Sequence, residues 1–155
     1  AAIGTALDIS AADLGELRTG GLLHDIAKIT LDEKILNKPG ELNNSEWLEL
    51  KRHSETGYRI LSSVNEFSQI AEYVLAHHER WDGEGYPKGL KGAEIPYQAR
   101  IMGLADAYDA MTCDRPYRKA LSEEIVITEI KSNAGKQFDP VIARVFVEKV
   151  LGNKW

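Results

Sequence analysis

IAEYVLAHHERWDGEGYPKGL, residues 70 to 90, is the stretch that decides the fold. Ile70, Val74, His77 and His78 recur at helical spacing, and Gly83, Gly85 and Pro87 then bring the helix to an end. Two adjacent imidazoles on one helix project about 100° apart, so an amphipathic pattern cannot send both to water and one ring at least turns inward. Adjacent residues on a regular helix are poorly placed to grip one ion, and the pair fits better as ligands straddling two. The segment 82–96 that follows, DGEGYPKGLKGAEIP, holds four glycines and two prolines, which predicts an irregular loop of a length that suggests function.

Outward from this stretch the apolar residues keep helical spacing, and nothing alternates with period two for long enough to make a strand, so the expected class is all-α. Upstream, Ser10 can cap a helix from about Ala11 towards His24, with Leu14, Leu17, Leu22 and Leu23 making apolar contacts. Asn43 and Glu46 form a capping-box pattern that opens a helix through Trp47, Leu50 and His53 towards Gly57, continued by Tyr58 to Leu61. The helix carrying His77 and His78 begins near Asn65 or Ser68. Downstream, residues 99–112 read as an apolar helix interrupted by Asp106 and Asp109, and Ser122 caps another that runs to about Asn133 and stops at Gly135. Asp139 followed by Pro140 is an N-cap with proline at the first helical position, opening a terminal helix through Val141, Val145, Phe146 and Val150.

A chain of 155 residues, 43% hydrophobic, suits one compact domain with one core. The net charge of −5 argues against broad binding to a nucleic-acid polymer, while RPYRK at 115–119 could still meet a small phosphate ligand. No apolar run approaches the ~18 residues of a membrane span, and no leader pattern opens the chain. The single cysteine, Cys113, cannot pair within the chain; it is expected to be a small buried residue, and the cytoplasm is the expected compartment.

The chemistry concentrates in the histidines. His24 and Asp25 close an apolar helix where the chain should be most buried, and a desolvated carboxylate there calls for a metal or a cation. Asp106 projects from a mainly apolar segment, with Asp109 one turn on as a supporting partner. Together with His53, His77 and His78 these residues are expected to form one centre that hydrolyses a phosphodiester. Imidazole and carboxylate without thiolate suit iron, manganese or zinc better than calcium, and shared carboxylates favour two ions. Two ions ~3.5 to 4 Å apart would deprotonate a bridging water near neutral pH while polarising the phosphate.

The blocks HDIAK (24–28), KPGEL (38–42), HHERWDGEGYPKGL (77–90), IPYQARI (95–101), ADAYDA (105–110), DRPYRKA (114–120) and GKQFDP (135–140) resemble, in order and spacing, the HD-GYP branch of the HD superfamily. The resemblance implies a single all-helical domain over 1–155 that uses two or three iron or manganese ions to open cyclic di-GMP to pGpG and onward to GMP. It puts His24, Asp25, His53, His77, His78 and Asp106 on metal-ligand positions, with Asp25 bridging two ions. Asp25 and Lys28 become the catalytic pair, Lys28 steadying a substrate phosphate or the leaving oxygen. Gly85, Tyr86 and Pro87 become the GYP signature at the substrate, Tyr86 stacking on guanine or donating to phosphate, and Arg115 and Arg118 become phosphate-contacting cations. The implied partners are cyclic di-GMP, a GGDEF-domain protein at the GYP loop, and a sensor or receiver domain ahead of this one. A binding module without turnover and a hydrolase of another nucleotide are the competing readings. Two departures stand out. Ala27 replaces the family's usual glycine in HDIGK, and the family's first helix supplies another histidine, and often a glutamate, roughly thirty residues before the HD pair, whereas only 23 residues precede His24 here and none is a histidine. The chain is therefore expected to begin partway along that helix and to hold an incomplete cluster with fewer ions and reduced activity.

Overall fold

The computed structural model describes residues 1–38, 40–114 and 119–155. Among them there is no β-strand, only an isolated bridge between Ala134 and Phe138, and the class is all-α. Eight α-helices follow in order: α1 Ala2–Ala6, α2 Ala11–Leu23, α3 Glu33–Leu36, α4 Asn44–Ser62, α5 Ser68–Ala76, α6 Tyr97–Thr112, α7 Glu123–Ser132 and α8 Pro140–Val145. Short 3-10 turns at Ile26–Thr30, Asn65–Phe67 and Gly92–Glu94 join them, and α8 runs on as a π turn at Phe146–Val150.

The caps form where the side chains call for them. Ser10 accepts from the Asp13 amide, Asn43 and Glu46 make the reciprocal capping box, and Asp139 accepts from the Val141 and Ile142 amides. Ser122 occupies the N-cap of α7 without a side-chain cap bond.

Helix α5 is the axle. Ile70, Ala71, Tyr73, Val74, Leu75 and Ala76 are all buried, the pattern of a helix surrounded by protein. Helix α4 crosses it at Gly57, where an added Cβ would stand 3.0 Å from Val74 Cγ1. The same crossing receives the fully buried Ala27, whose Cβ lies 3.8 Å from that position, so the turn after His24 packs into the α4–α5 joint. Helix α6 covers α5 with Ala99, Ile101, Met102 and Leu104, and α7 and α8 close the far side with Val126, Ile130, Ile142 and Ala143.

Three details depart from the sequence expectations. Leu22 is 85% exposed, because it sits about 140° around α2 from the buried Leu17, whose face continues through Gly20 against Met102. Helix α5 stops at Ala76, before the glycines; His77 is its C-cap and His78 lies beyond it. Cys113 is exposed, at the end of α6 where the helix runs out to the surface. Arg115 and Arg118 lie outside the described residues.

Candidate metal centre

Four segments deliver the six expected ligands to one place. His24 caps the end of α2 and Asp25 follows it, His53 comes from the middle of α4, His77 and His78 from the end of α5, and Asp106 from α6. His24 Nε2 lies 3.4 Å from Asp25 Oδ2 and 3.6 Å from Asp106 Oδ1; His53 Nε2 lies 3.7 Å from Asp25 Oδ1. His53, His77 and His78 offer ligand atoms all within 4.8 Å of one another, and so do His24, Asp25 and His77. His77 therefore belongs to both groups, and it and His78 stand at a helix end rather than within a regular helix.

The backbone fixes how these rings present themselves. Each helix carbonyl three residues back faces an Nδ1: Gly21 O to His24 at 2.8 Å, Leu50 O to His53 at 2.6 Å and Val74 O to His77 at 2.6 Å. A carbonyl only accepts, so each Nδ1 must carry the proton and each neutral ring offers its Nε2 lone pair inward. His53 Nε2 and His78 Nε2 face each other at 3.1 Å, which requires a proton or a cation between them. His24 Nε2, His77 Nε2 and Asp25 Oδ1 are buried with no hydrogen-bond partner among the described residues. Orphaned buried groups cost about 1–3 kcal/mol each, and three converging on one spot fit a metal.

The electrostatics agree with that donor set. Burial pushes His77 down to about 4 and also lowers His53 and His78, the last helped by its neighbours His77 and His53. These rings stay neutral, the form that binds metal. Burial opposes the charge of Asp106, yet its contact with His24 holds the carboxyl well below the usual carboxylate range, and Asp106 in return raises His24. Lys28 Nζ lies 2.7 Å from Asp25 Oδ2, so this cation touches the carboxylate at the heart of the site. Among the described residues Asp109 makes no hydrogen bond or ion pair with a histidine; its Oδ1 accepts from Cys113 Sγ at 3.6 Å.

The centre opens into a cleft of about 420 Å³ whose lining includes His77, His78, Asp106, Tyr86, Trp47 and Lys51. Tyr86 stacks on His78, with centroids 4.9 Å apart and planes at 25°. Gly85 also faces the cleft, whereas Pro87, joined to Tyr86 by a cis peptide, lines a neighbouring cavity with Arg52, Arg59 and Lys88.

Sequence reasoning passed over the residues that hold this loop. The buried Glu79 carboxylate accepts from the Lys88 amide at 2.7 Å and the Leu90 amide at 3.0 Å. Its signal was its place directly ahead of a glycine-rich loop whose amides need an acceptor. An added Cβ at Gly85 would stand 2.4 Å from Arg80 N, so this close approach admits only glycine. Arg100 bridges to Asp139 at 2.9 Å and donates to Ile95 O at 2.9 Å, tying α6 to the cap of α8. The Trp81 and Asp82 amides donate to Gln137 O and Lys136 O at 3.2 and 2.8 Å, stitching the loop to the segment ahead of α8.

Comparison with known proteins agrees with this geometry. The HD domain family model matches residues 1–142. The chain is 41% identical over 148 residues to a cyclic di-GMP phosphodiesterase of Thermotoga maritima, covering 94% of the chain and 40% of the relative. It is 40% identical over 136 residues to the cyclic di-GMP phosphodiesterase response regulator RpfG of Xanthomonas campestris, covering 86% and 36%. It is 36% identical over 141 residues to the 3'3'-cGAMP-specific phosphodiesterase 2 of Vibrio cholerae, covering 90% and 27%. The chain thus spans less than half the length of these curated relatives. The crystal structure of the cyclic GMP-AMP specific phosphodiesterase V-cGAP3 of V. cholerae superposes with a TM-score of 0.74 at 23% identity, covering 98% of the chain and 41% of that structure, a likeness of fold. With a histidine–aspartate pair at the end of α2, a histidine pair at the end of α5 and a GYP loop packed on the latter, the chain belongs to the HD domain family and accords with its HD-GYP branch.

Proposed function

We propose that residues 1–155 form one HD-GYP domain that hydrolyses cyclic di-GMP to pGpG and GMP in a metal-dependent reaction. The observation that carries the reading is the convergence of three unpartnered buried polar atoms, His24 Nε2, His77 Nε2 and Asp25 Oδ1, beside an open cleft. His24, Asp25 and His77 would hold one ion and His53 and His78 a second, with Asp106 beside His24; iron or manganese suits this mixture. Bound ions would supply an activated water and positive charge against the phosphoryl oxygens.

The chain's own groups do the rest. The three helix carbonyls lock the ring tautomers, so the ligand lone pairs are aimed before any ion arrives. Lys28 orients Asp25 and stands ready to steady the leaving oxygen. Tyr86 holds the His78 ring and offers its hydroxyl or face to the substrate, while Gly85 lets the loop backbone approach closely. Arg115 and Arg118 contact the phosphates in this reading, which rests for them on the family resemblance. The names of the relatives support cyclic di-GMP first and a mixed guanine–adenine cyclic dinucleotide second. The domain works in the cytoplasm within a larger signalling protein, behind a sensor or receiver domain and with a GGDEF protein at its GYP loop. Among the described residues no helix is long and apolar enough to cross a membrane.

The test is metal content and turnover together. The purified chain, loaded anaerobically with Mn²⁺ or Fe²⁺, should retain metal and cleave cyclic di-GMP. His24→Ala should lose at least about 100-fold in metal affinity and rate. Metal-loaded protein that binds the dinucleotide without cleaving it would overturn the enzymatic reading in favour of a binding module.

A further inference from the structure

The α4 residues that line the cleft carry groups that no phosphodiester chemistry requires. Trp47 and Lys51 stand one turn apart on α4, upstream of His53 and on the same helix. Lys51 Nζ lies 5.7 Å from the Trp47 ring centroid and 5.2 Å from that of Tyr86, so it hovers between two aromatic faces. Among the described residues no carboxylate lies within ion-pair distance of this ammonium. Trp47 is 46% exposed and lines the cleft, so part of its indole is open to a ligand. Through Tyr86 the group is in contact with His78, so it begins one ring away from the candidate metal centre.

We propose that Trp47 and Lys51 form a guanine-recognition subsite, in which the base stacks on the Trp47 indole and the Lys51 ammonium donates to its O6 and N7. The inference rests on reading the cleft as a nucleotide site. An aromatic face accepts any base, so stacking alone supplies affinity without selection. The selection comes from Lys51. An ammonium has donors only, and the O6–N7 edge of guanine offers two acceptors side by side. Adenine replaces O6 with an amino donor, which would meet the ammonium donor to donor. The aromatic pair keeps the ammonium extended over the cleft without neutralising it, as a carboxylate partner would.

Calorimetric titration of the whole chain with GMP and with AMP, in a chelator so that no turnover occurs, tests this directly. Wild-type protein should bind GMP about tenfold more tightly than AMP. Lys51→Met, which keeps the apolar stem, should bring the two affinities close to equality. Trp47→Ala should weaken both about tenfold and leave their ratio standing, with Trp47→Phe recovering much of the loss. Equal affinities in the wild type, no binding of either nucleotide, or a ratio untouched by Lys51→Met would overturn the subsite and leave the trio a surface staple. Cleavage of bis(p-nitrophenyl) phosphate by the Mn²⁺-loaded wild-type chain, an ester with no nucleobase, reports on the hydrolytic reading alone. The two ideas can therefore fail separately.

Discussion

Glu79 shows how much one side chain outside the ligand set can decide. Its carboxylate sits immediately after the paired histidines, is buried, and accepts from two amides of the GYP loop. Charge-assisted bonds of this kind contribute about 1.5–3 kcal/mol each, and truncation would leave both amides without their acceptor. Glu79→Ala should therefore lower stability in urea by about 3 kcal/mol and open the loop between residues 82 and 90 to limited proteolysis. A variant that kept wild-type stability and a protected loop would show that the Pro87 and glycine geometry suffices. The motif reading found the histidines because their residue type announces their chemistry. It missed Glu79, Trp47 and Lys51, because a glutamate, an indole and a lysine each have an ordinary use on a helical protein. Leu22 and Cys113 misled in the other direction, since apolar and small residue types say nothing about which side of a helix faces out.

At the scale of elements the caps were legible and the crossings were not. Ser10, Asn43 and Asp139 bond amides two or three residues away, so sequence spacing contains the whole interaction. The end of α5 is different. The sequence suggested that glycines and proline stop the helix, yet it turns at His77, six residues before Gly83, because α6 packs directly on the corner. An added Cβ at Gly103 would stand 2.7 Å from His77 O, a contact between segments far apart in sequence. Gly103→Ala should push α6 off this corner at a cost of about 1–3 kcal/mol. Since Asp106 follows one turn later on α6, the same change should weaken Mn²⁺ affinity about tenfold, measured by competition with a chelating dye. An alanine variant with intact affinity would mean that the corner can yield without moving Asp106.

For the molecule as a whole, three neutral imidazoles, two buried and His78 half-buried, make stability depend on pH. His53, His77 and His78 have folded values below the ~6.5 of an unfolded histidine, His77 at about 4. Below ~6.5 the unfolded chain takes up protons that the folded chain refuses, so stability rises with pH across this window and is lost as pH falls through it. The raised value of His24 works the other way, adding stability at low pH that disappears above its own folded value. Three against one, the metal-free protein should lose melting temperature between pH 6.5 and 4, His77 alone accounting for ~3 kcal/mol. Thermal unfolding in a chelator across that range measures the effect, and a flat profile would mean the rings reach solvent more freely than their burial implies.

His24 with Asp25, His53, His77 with His78, and Asp106 come from four stretches of chain, none of which can gather a full ligand set alone. In the proposed reading, then, a nascent chain cannot complete its centre until Asp106 has emerged and α6 has docked. A metal captured there adds its binding energy only to the finished fold, so the cell's free metal ions would act as an inspector that retains complete domains and passes over interrupted ones.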